Sequence, residues 1–447
     1  MFKKLFAMLV VVATTMFSGM FFTSCSNEDG IPLESVSTRA SKPVVTIPAG
    51  AITTNTTWSN ANDYRLDGKV YVSNNATLTI EAGTTIKGVY YSAAADASAL
   101  IITRGSQLIA NGNAASPIVF TAENGTKGGW GGLVLLGNAR INQSADYLIE
   151  GLDPDKITIP AGVVVTYGTN VDTYNTESSG SLQYVRVEYA GAAIAANNEL
   201  NSFTFGGVGS GTTLNHLQAY EGADDAFEFF GGRANASYLV STSADDDAFD
   251  FDFGYQGKLQ FLLSTINSDL SYSSNPNGIE CDNDGTGTGA TPYTHPELSN
   301  LTVRGTVTGA SSITTLKAGA HFRRNTQLTL RNSIFYGFPT GIQFENVNTT
   351  GIDFSYNVVS GVTTNFSGFT AGSTNNGVAV ASIQLTTPWD NWGDDSPLRP
   401  ASGSYAYSGA NFTGLTGFTA TTYKGAIDPT GTNWVADGID SWIRADY

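Results

Sequence analysis

From residue 44 onward the chain repeats one pattern: a short run of β-branched and other apolar residues, then glycine, asparagine, aspartate or serine, then another run. Lys69-Val70-Tyr71-Val72, Ala76-Thr77-Leu78-Thr79-Ile80, Ala99-Leu100-Ile101-Ile102 and Pro117-Ile118-Val119-Phe120 show it plainly. Runs of this length predict strands, because β-branched side chains suit a pleated surface and the residues between them suit tight reversals. Nothing past residue 25 offers three turns of amphipathic helix between capping residues.

Two segments expose a period. Asp224-Asp225-Ala226-Phe227-Glu228-Phe229 recurs 22 residues later as Asp246-Asp247-Ala248-Phe249-Asp250-Phe251. A period in the low twenties belongs to a solenoid; leucine-rich repeats share it but need a Leu/Asn consensus that is missing, and propeller blades repeat at about twice the length. What remains is an all-β, single-stranded parallel β-helix, right-handed by the general preference of parallel crossovers. In such a solenoid each coil buries its inward side chains on the next. Residues 43–400 are assigned to the β-helix and 401–447 to a C-terminal capping segment.

Composition agrees: 50 glycines against 14 prolines and only 14% charged residues suit many short strands joined by turns. The formal charge of -17 makes nucleic acid an unsuitable partner, since phosphate binding needs clustered lysine and arginine. With only Cys25 and Cys281 there is no disulfide framework.

The first 25 residues stand apart. Lys3 and Lys4 precede an apolar stretch from Leu5 to Phe22, which ends in Thr23-Ser24-Cys25. This reads as a processing signal to be excluded from the fold. Its loss takes the formal charge from -17 to -19, because it carries two lysines and no acid. The segment resembles a bacterial lipoprotein signal, which implies lipidation at Cys25 and attachment to a membrane; Phe22 departs from the Leu or Val more usual three residues before the cysteine. Each buried methylene of an acyl chain contributes ~0.8 kcal/mol, so several chains on one residue anchor a protein stably. Ser26-Asn27-Glu28-Asp29-Gly30 resembles the acidic signal that sends Bacteroidetes lipoproteins to the outer face of the outer membrane. Residues 26–42 are polar, lack apolar periodicity and read as a flexible tether.

The acidic repeats carry the candidate chemistry. Stacking coils 22 residues apart sets Asp224 over Asp246, Asp225 over Asp247 and Glu228 over Asp250. At ~4.8 Å, two like charges repel by about 1 kcal/mol in water and 3 to 4 kcal/mol at an effective dielectric near 20. Protonation, salt bridges or a hard divalent cation can relieve this, and carboxylates with backbone carbonyls suit Ca²⁺. Arg233 is the one cation between the two segments, so salt bridges look insufficient. On the calcium reading, alanine at Asp225 and Asp247 together abolishes the calcium dependence and leaves the fold intact, because a coil turn lies at the surface; the competing reading has these aspartates at turns, bonded to their own backbone. Glu280, Asp282, Asn283 and Asp284 form a further acidic turn, suited to a later coil.

Serine-hydrolase, zinc and phosphate-loop motifs are missing, and His216, His295 and His321 are scattered. Carbohydrate chemistry needs only carboxylates, or Ca²⁺ with a base, so it stays open. Tyr90-Tyr91 could stack on sugar rings, though aromatics in a solenoid more often pack its coils.

Several strings together resemble a family of Bacteroidetes surface lipoproteins with a pectin-lyase-like parallel β-helix. They are Ala76-Thr77-Leu78-Thr79-Ile80-Glu81-Ala82-Gly83-Thr84, Pro117-Ile118-Val119-Phe120-Thr121-Ala122, Gly129-Trp130-Gly131-Gly132, Gly207-Val208-Gly209-Ser210-Gly211-Thr212 and the paired Asp-Asp-Ala-Phe segments. The resemblance covers most of residues 66–290, and the tail with Trp434 and Trp442 resembles the family's terminal segment. It implies the fold and leaves activity unsettled. Similar β-helix lyases pair Ca²⁺ with an arginine base, which singles out His321-Phe322-Arg323-Arg324; the alternative is an arginine pair making ordinary salt bridges. Two functions therefore stand side by side: a non-enzymatic surface protein presenting its β-helix to polysaccharide or a surface protein, and a polysaccharide lyase or glycoside hydrolase. An enzyme needs a groove where acids, a base and sugar-stacking rings converge.

Overall fold

The structure, a computed structural model, describes residues 41–195, 198–272, 275–306, 315–386, 398–435 and 442–444. Cys25 and most of the tether lie outside the described residues. Lys42 already belongs to the compact unit, reaching Gly83 O with its Nζ at 2.8 Å.

Among the described residues one 26-stranded sheet winds along the chain, and the strands of successive coils pair in parallel. It is the parallel β-helix expected from the period. The strands form three faces. The first stacks Gln107–Asn111 under the opening halves of Gly180–Glu188, Thr213–Tyr220, Asn235–Thr242, Lys258–Thr265 and Glu297–Arg304. The second stacks Ile118–Ala122 under the closing halves of the same five strands. The third holds Gly132–Leu136, Phe203–Gly206, Phe227–Phe230, Phe249–Asp252, Glu280–Cys281, Ala318–Arg323 and Thr340–Glu345. Thr213 opposes Asn235 and Phe227 opposes Phe249, so the bare coil is the 22 residues seen in the sequence. Elsewhere inserted loops lengthen it, as where Lys258 opposes Glu297.

The five long strands bend between the first and second faces at one residue each, Tyr184, His216, Tyr238, Phe261 and Asn300, all with φ between 50° and 62°. Such left-handed backbone is uncommon for side chains other than glycine and marks the corner of the coil. Inside, alternation sends Phe203, Phe227 and Phe249 into one stack and Phe205, Phe229 and Phe251 into another, with ring centroids 4.8–5.6 Å apart. These rings are fully buried, and the spacing is that of strands in a sheet. Cys281 points into the same core, its Sγ 3.0 Å from Thr326 Oγ1.

Two further features position the site. The chain between Leu136 and Gly180 leaves the coil as an insertion carrying an antiparallel pair, Tyr147–Leu148 with Thr166–Tyr167. It packs Ile141, Ile149, Leu152, Ile157 and Tyr167 on the outside of the third face, against Tyr71, Ile101 and Val134. The C-terminal segment runs back along the corner between the first two faces. Asn411 N–H donates to Asn332, Thr419 N–H to Gln260 and Arg444 N–H to Gln218, so the expected cap is a strap along the flank.

Candidate functional site: an acidic wall on the third face

The register fixes which side chains share the outer surface of the third face. Ile101 opposes Val134, Val134 opposes Thr204, and the column continues through Glu228, Asp250, Glu280, His321 and Gln343. It is apolar where the insertion covers it and acidic beyond. The next outward column holds Phe230 and then Asp252, and later Arg323 opposite Glu345.

The repeated aspartates gather as the period implies. The carboxylates of Asp224, Asp225 and Asp246 can come within 4.8 Å of one another, as can those of Asp225, Glu228 and Asp250. Asp225 and Asp247 are nevertheless buried, and neither caps a surface turn. They form the middle rungs of a ladder between coils. Asn201 Oδ1 accepts Asp225 N–H at 3.1 Å, Asp225 Oδ1 accepts Asp247 N–H at 2.7 Å, and Asp247 Oδ1 accepts Asn277 N–H at 2.7 Å. Asn277 Oδ1 then accepts Ala318 N–H at 3.2 Å. The reading in which alanine leaves the fold intact is therefore corrected: each carboxylate satisfies a buried backbone donor, which would otherwise cost about 1–3 kcal/mol. Asp250 Oδ1 has no hydrogen-bond partner among the described residues, and Glu228 accepts from Asn201 Nδ2.

Burial, followed by neighbouring carboxylates, holds Asp224, Asp225, Glu228 and Asp250 well above the usual carboxylate range. Asp247 is raised for the same reasons, chiefly burial and then Glu280. Asp246 is pushed up to about 6 and Glu280 to about 7, again mainly by burial. Counter-charges come from outside the two repeats: the wall meets Lys127 at Asp245 (3.0 Å) and, at its far end, Arg323, which pairs with Glu280 and with Asp282 at 2.9 Å. Arg324 is a second cation on Asp282, at 2.7 Å. His321 lies between Glu280 and Glu345, its Nε2 3.0 Å from Glu345 Oε2, and burial lowers its pKa. Both arginines and this histidine therefore act first as partners for carboxylates.

Where the insertion meets the wall, a cleft of about 530 Å³ opens. The rings of Tyr147, Tyr167, Phe230 and Phe253 and the carboxyl groups of Glu150, Glu228 and Asp252 line it. Glu150 is exposed at its rim. Crowding raises Asp252 as well, through burial and the later acids Asp282 and Asp284. Sequence pattern signalled Glu228 and Glu280 but missed Glu150, Asp252, Tyr147 and Tyr167. Asp252 carries the very alternation that placed Asp250 and was legible; the other three come from an insertion with no periodicity to place it. Tyr91 bonds Asp67 through its hydroxyl and Tyr90 is 52% exposed, both well away in sequence from this cleft.

A sheet wound in parallel round three faces defines a parallel β-helix solenoid. The chain belongs to the family of pectate-lyase-like β-helix domains, whose model matches residues 50–393. No curated protein and no solved structure matches the chain. No helix among the described residues is long and apolar enough to cross a membrane.

Proposed function

We propose that the protein is a surface-exposed outer-membrane lipoprotein of the Bacteroidetes type, whose β-helix binds polysaccharide in the cleft on the third face, with Ca²⁺ held by the neighbouring acidic wall, and does not cleave it. The observation that carries this reading is the meeting of four aromatic rings with Glu150, Glu228 and Asp252 in one cleft. Rings offer flat apolar contact to sugar faces and carboxylates accept hydroxyl hydrogen bonds, the mixture that concave ligand sites show. Ca²⁺ fits the wall because its carboxylates converge to within 4.8 Å and one oxygen of Asp250 is unbonded. Binding without cleavage is favoured because Arg323, Arg324 and His321 are tied to acids and do not line the cleft. A hydrolase is the second reading, supported by the raised carboxyl groups of Glu228 and Asp252, since a protonated acid can serve a leaving group. Incubating the protein with neutral and acidic polysaccharides, with and without calcium, and reading both retention and new chain ends separates them. Retention without new ends is expected; new ends lost in Glu228→Gln would establish the hydrolase.

The anchor rests on the sequence, through Lys3, Lys4, the apolar stretch and Cys25. Cys25→Ala is expected to leave the signal uncleaved or release the protein from the membrane fraction. Unchanged processing and attachment in that variant would remove the lipoprotein reading.

A further inference from the structure

A second groove lies at the corner between the first and second faces. Tyr184, His216, Tyr238 and Phe261 occupy that corner in four successive coils, and their rings stack at 4.3, 4.4 and 5.0 Å. Each sits in the left-handed backbone that turns the coil at this corner. The C-terminal strap crosses this column, with Trp434 edge-on to Tyr238 at 5.1 Å and Trp442 edge-on to His216 at 5.3 Å. Beside Trp434 the strap stands away from the column. Two adjoining hollows of about 300 and 560 Å³ result, both lined by Tyr238, Phe261, Tyr423 and Asp428.

The chemistry of this groove is aromatic and uncharged except for one acid. Tyr407 and Trp434 add two more rings, and threonines 419, 421, 422, 430 and 432 add hydroxyls. No lysine or arginine is among its described lining residues. His216 contributes no positive charge either, because burial lowers its pKa to about 4. An anionic ligand would meet Asp428 with no cation among the described lining residues, since the nearby Arg399 is engaged by the carbonyls of Asp428 and Gly431, on a chain of formal charge -17.

We propose that this groove is a separate binding site for a neutral glycan, whose sugar rings stack on Tyr423 and Trp434 while its hydroxyls bond Asp428 and the threonines. The glycan class of the ligand follows the proposed function, but the location and the preference for an uncharged chain rest on the corner column and the strap alone. Its volume is that of sites which enclose small ligands.

The test titrates the full-length chain with cellohexaose, xylohexaose and mannohexaose, and with hexagalacturonate as the charged comparison, by calorimetry and by tryptophan emission. At least one neutral oligosaccharide is expected to bind and to shift the emission, with hexagalacturonate weaker. Tyr423→Ala should weaken that binding by about tenfold, the loss of one good stacking contact. Thr422→Trp fills the groove from an exposed position whose carbonyl accepts Ala410 N–H, and it should abolish binding in this groove even if Tyr423→Ala proves unstable. Glu228→Gln alters only the third-face cleft, so the binding component that Thr422→Trp removes should remain in it. Failure of every neutral oligosaccharide to bind, or binding left unchanged by Thr422→Trp, overturns the proposal. Binding lost only in Glu228→Gln would move the ligand to the third face, sparing the proposed function and refuting this site.

Discussion

With divalent cations removed, the folded protein should be more stable at about pH 5 than at about pH 8, and added calcium should raise stability most at the higher pH. Ordinary carboxylates release their protons near pH 4. In the folded protein burial holds Asp246 up to about 6 and Glu280 up to about 7, and raises Asp224, Asp225, Glu228, Asp247 and Asp250 well above their usual range. Between pH ~4 and ~7 the folded state thus keeps protons that the unfolded state has lost, so stability falls as pH rises through that window. Below it both states are protonated and the stabilisation is complete. Above it the wall carries its repulsion unless a cation binds, and a ligand that binds only the folded state at about a hundredfold excess over Kd adds ~2.7 kcal/mol. Thermal melts across pH, in EDTA and in calcium, check this. Asp225→Asn with Asp247→Asn should remove much of the pH slope while keeping the acceptors of the ladder, as Asn201 and Asn277 already do. Alanine at the same two positions should instead destabilise the fold. Coincident melts in EDTA and calcium at every pH would exclude a stabilising calcium site.

Phe229→Ala is expected to cost about 3–5 kcal/mol, the range for deleting a buried aromatic from a packed core. Phe229 is fully buried and touches Phe205, Phe251 and Tyr255 at centroid distances of 4.8, 5.4 and 4.8 Å, so its removal leaves a void shared by three coils. Tyr90→Ala, at a half-exposed ring away from such contacts, should stay within about 0.5 kcal/mol. Urea unfolding of the two variants makes the comparison. Equal midpoints would mean that the phenylalanine stacks do not hold the coils together.

Much of the fold was legible because the alternation of side chains along a strand fixes which ones face inward, and the 22-residue offset fixes which lie above one another. Glu228 over Asp250 followed from those two facts alone, and the structure pairs them. What lies over an outward face is a different matter. The insertion that buries Ile101 and Val134 and brings Tyr147, Tyr167 and Glu150 to the wall has no repeat, so only its packing reveals its place. The burial of Asp225 and Asp247 was missed for a related reason. An Asp-Asp pair reads as a turn, and only the neighbouring coils show that its second member bonds the next backbone N–H. Arg323 was singled out as a base, yet it reaches Glu280 and Asp282 because those acids occupy the preceding coil, a contact that a search confined to the 22-residue repeat could not find.

Calorimetric titration of the metal-free chain with calcium, alongside the variant carrying Glu228→Gln and Asp250→Asn, tests the acidic wall most directly. Both residues share one convergent group with Asp225, and amides at these positions remove two charged ligands while keeping the shape of the side chains. Saturable calcium binding by the unaltered protein, lost or at least about tenfold weaker in the variant, is the expected result. Equal calcium binding by both proteins, or none by either, would contradict it.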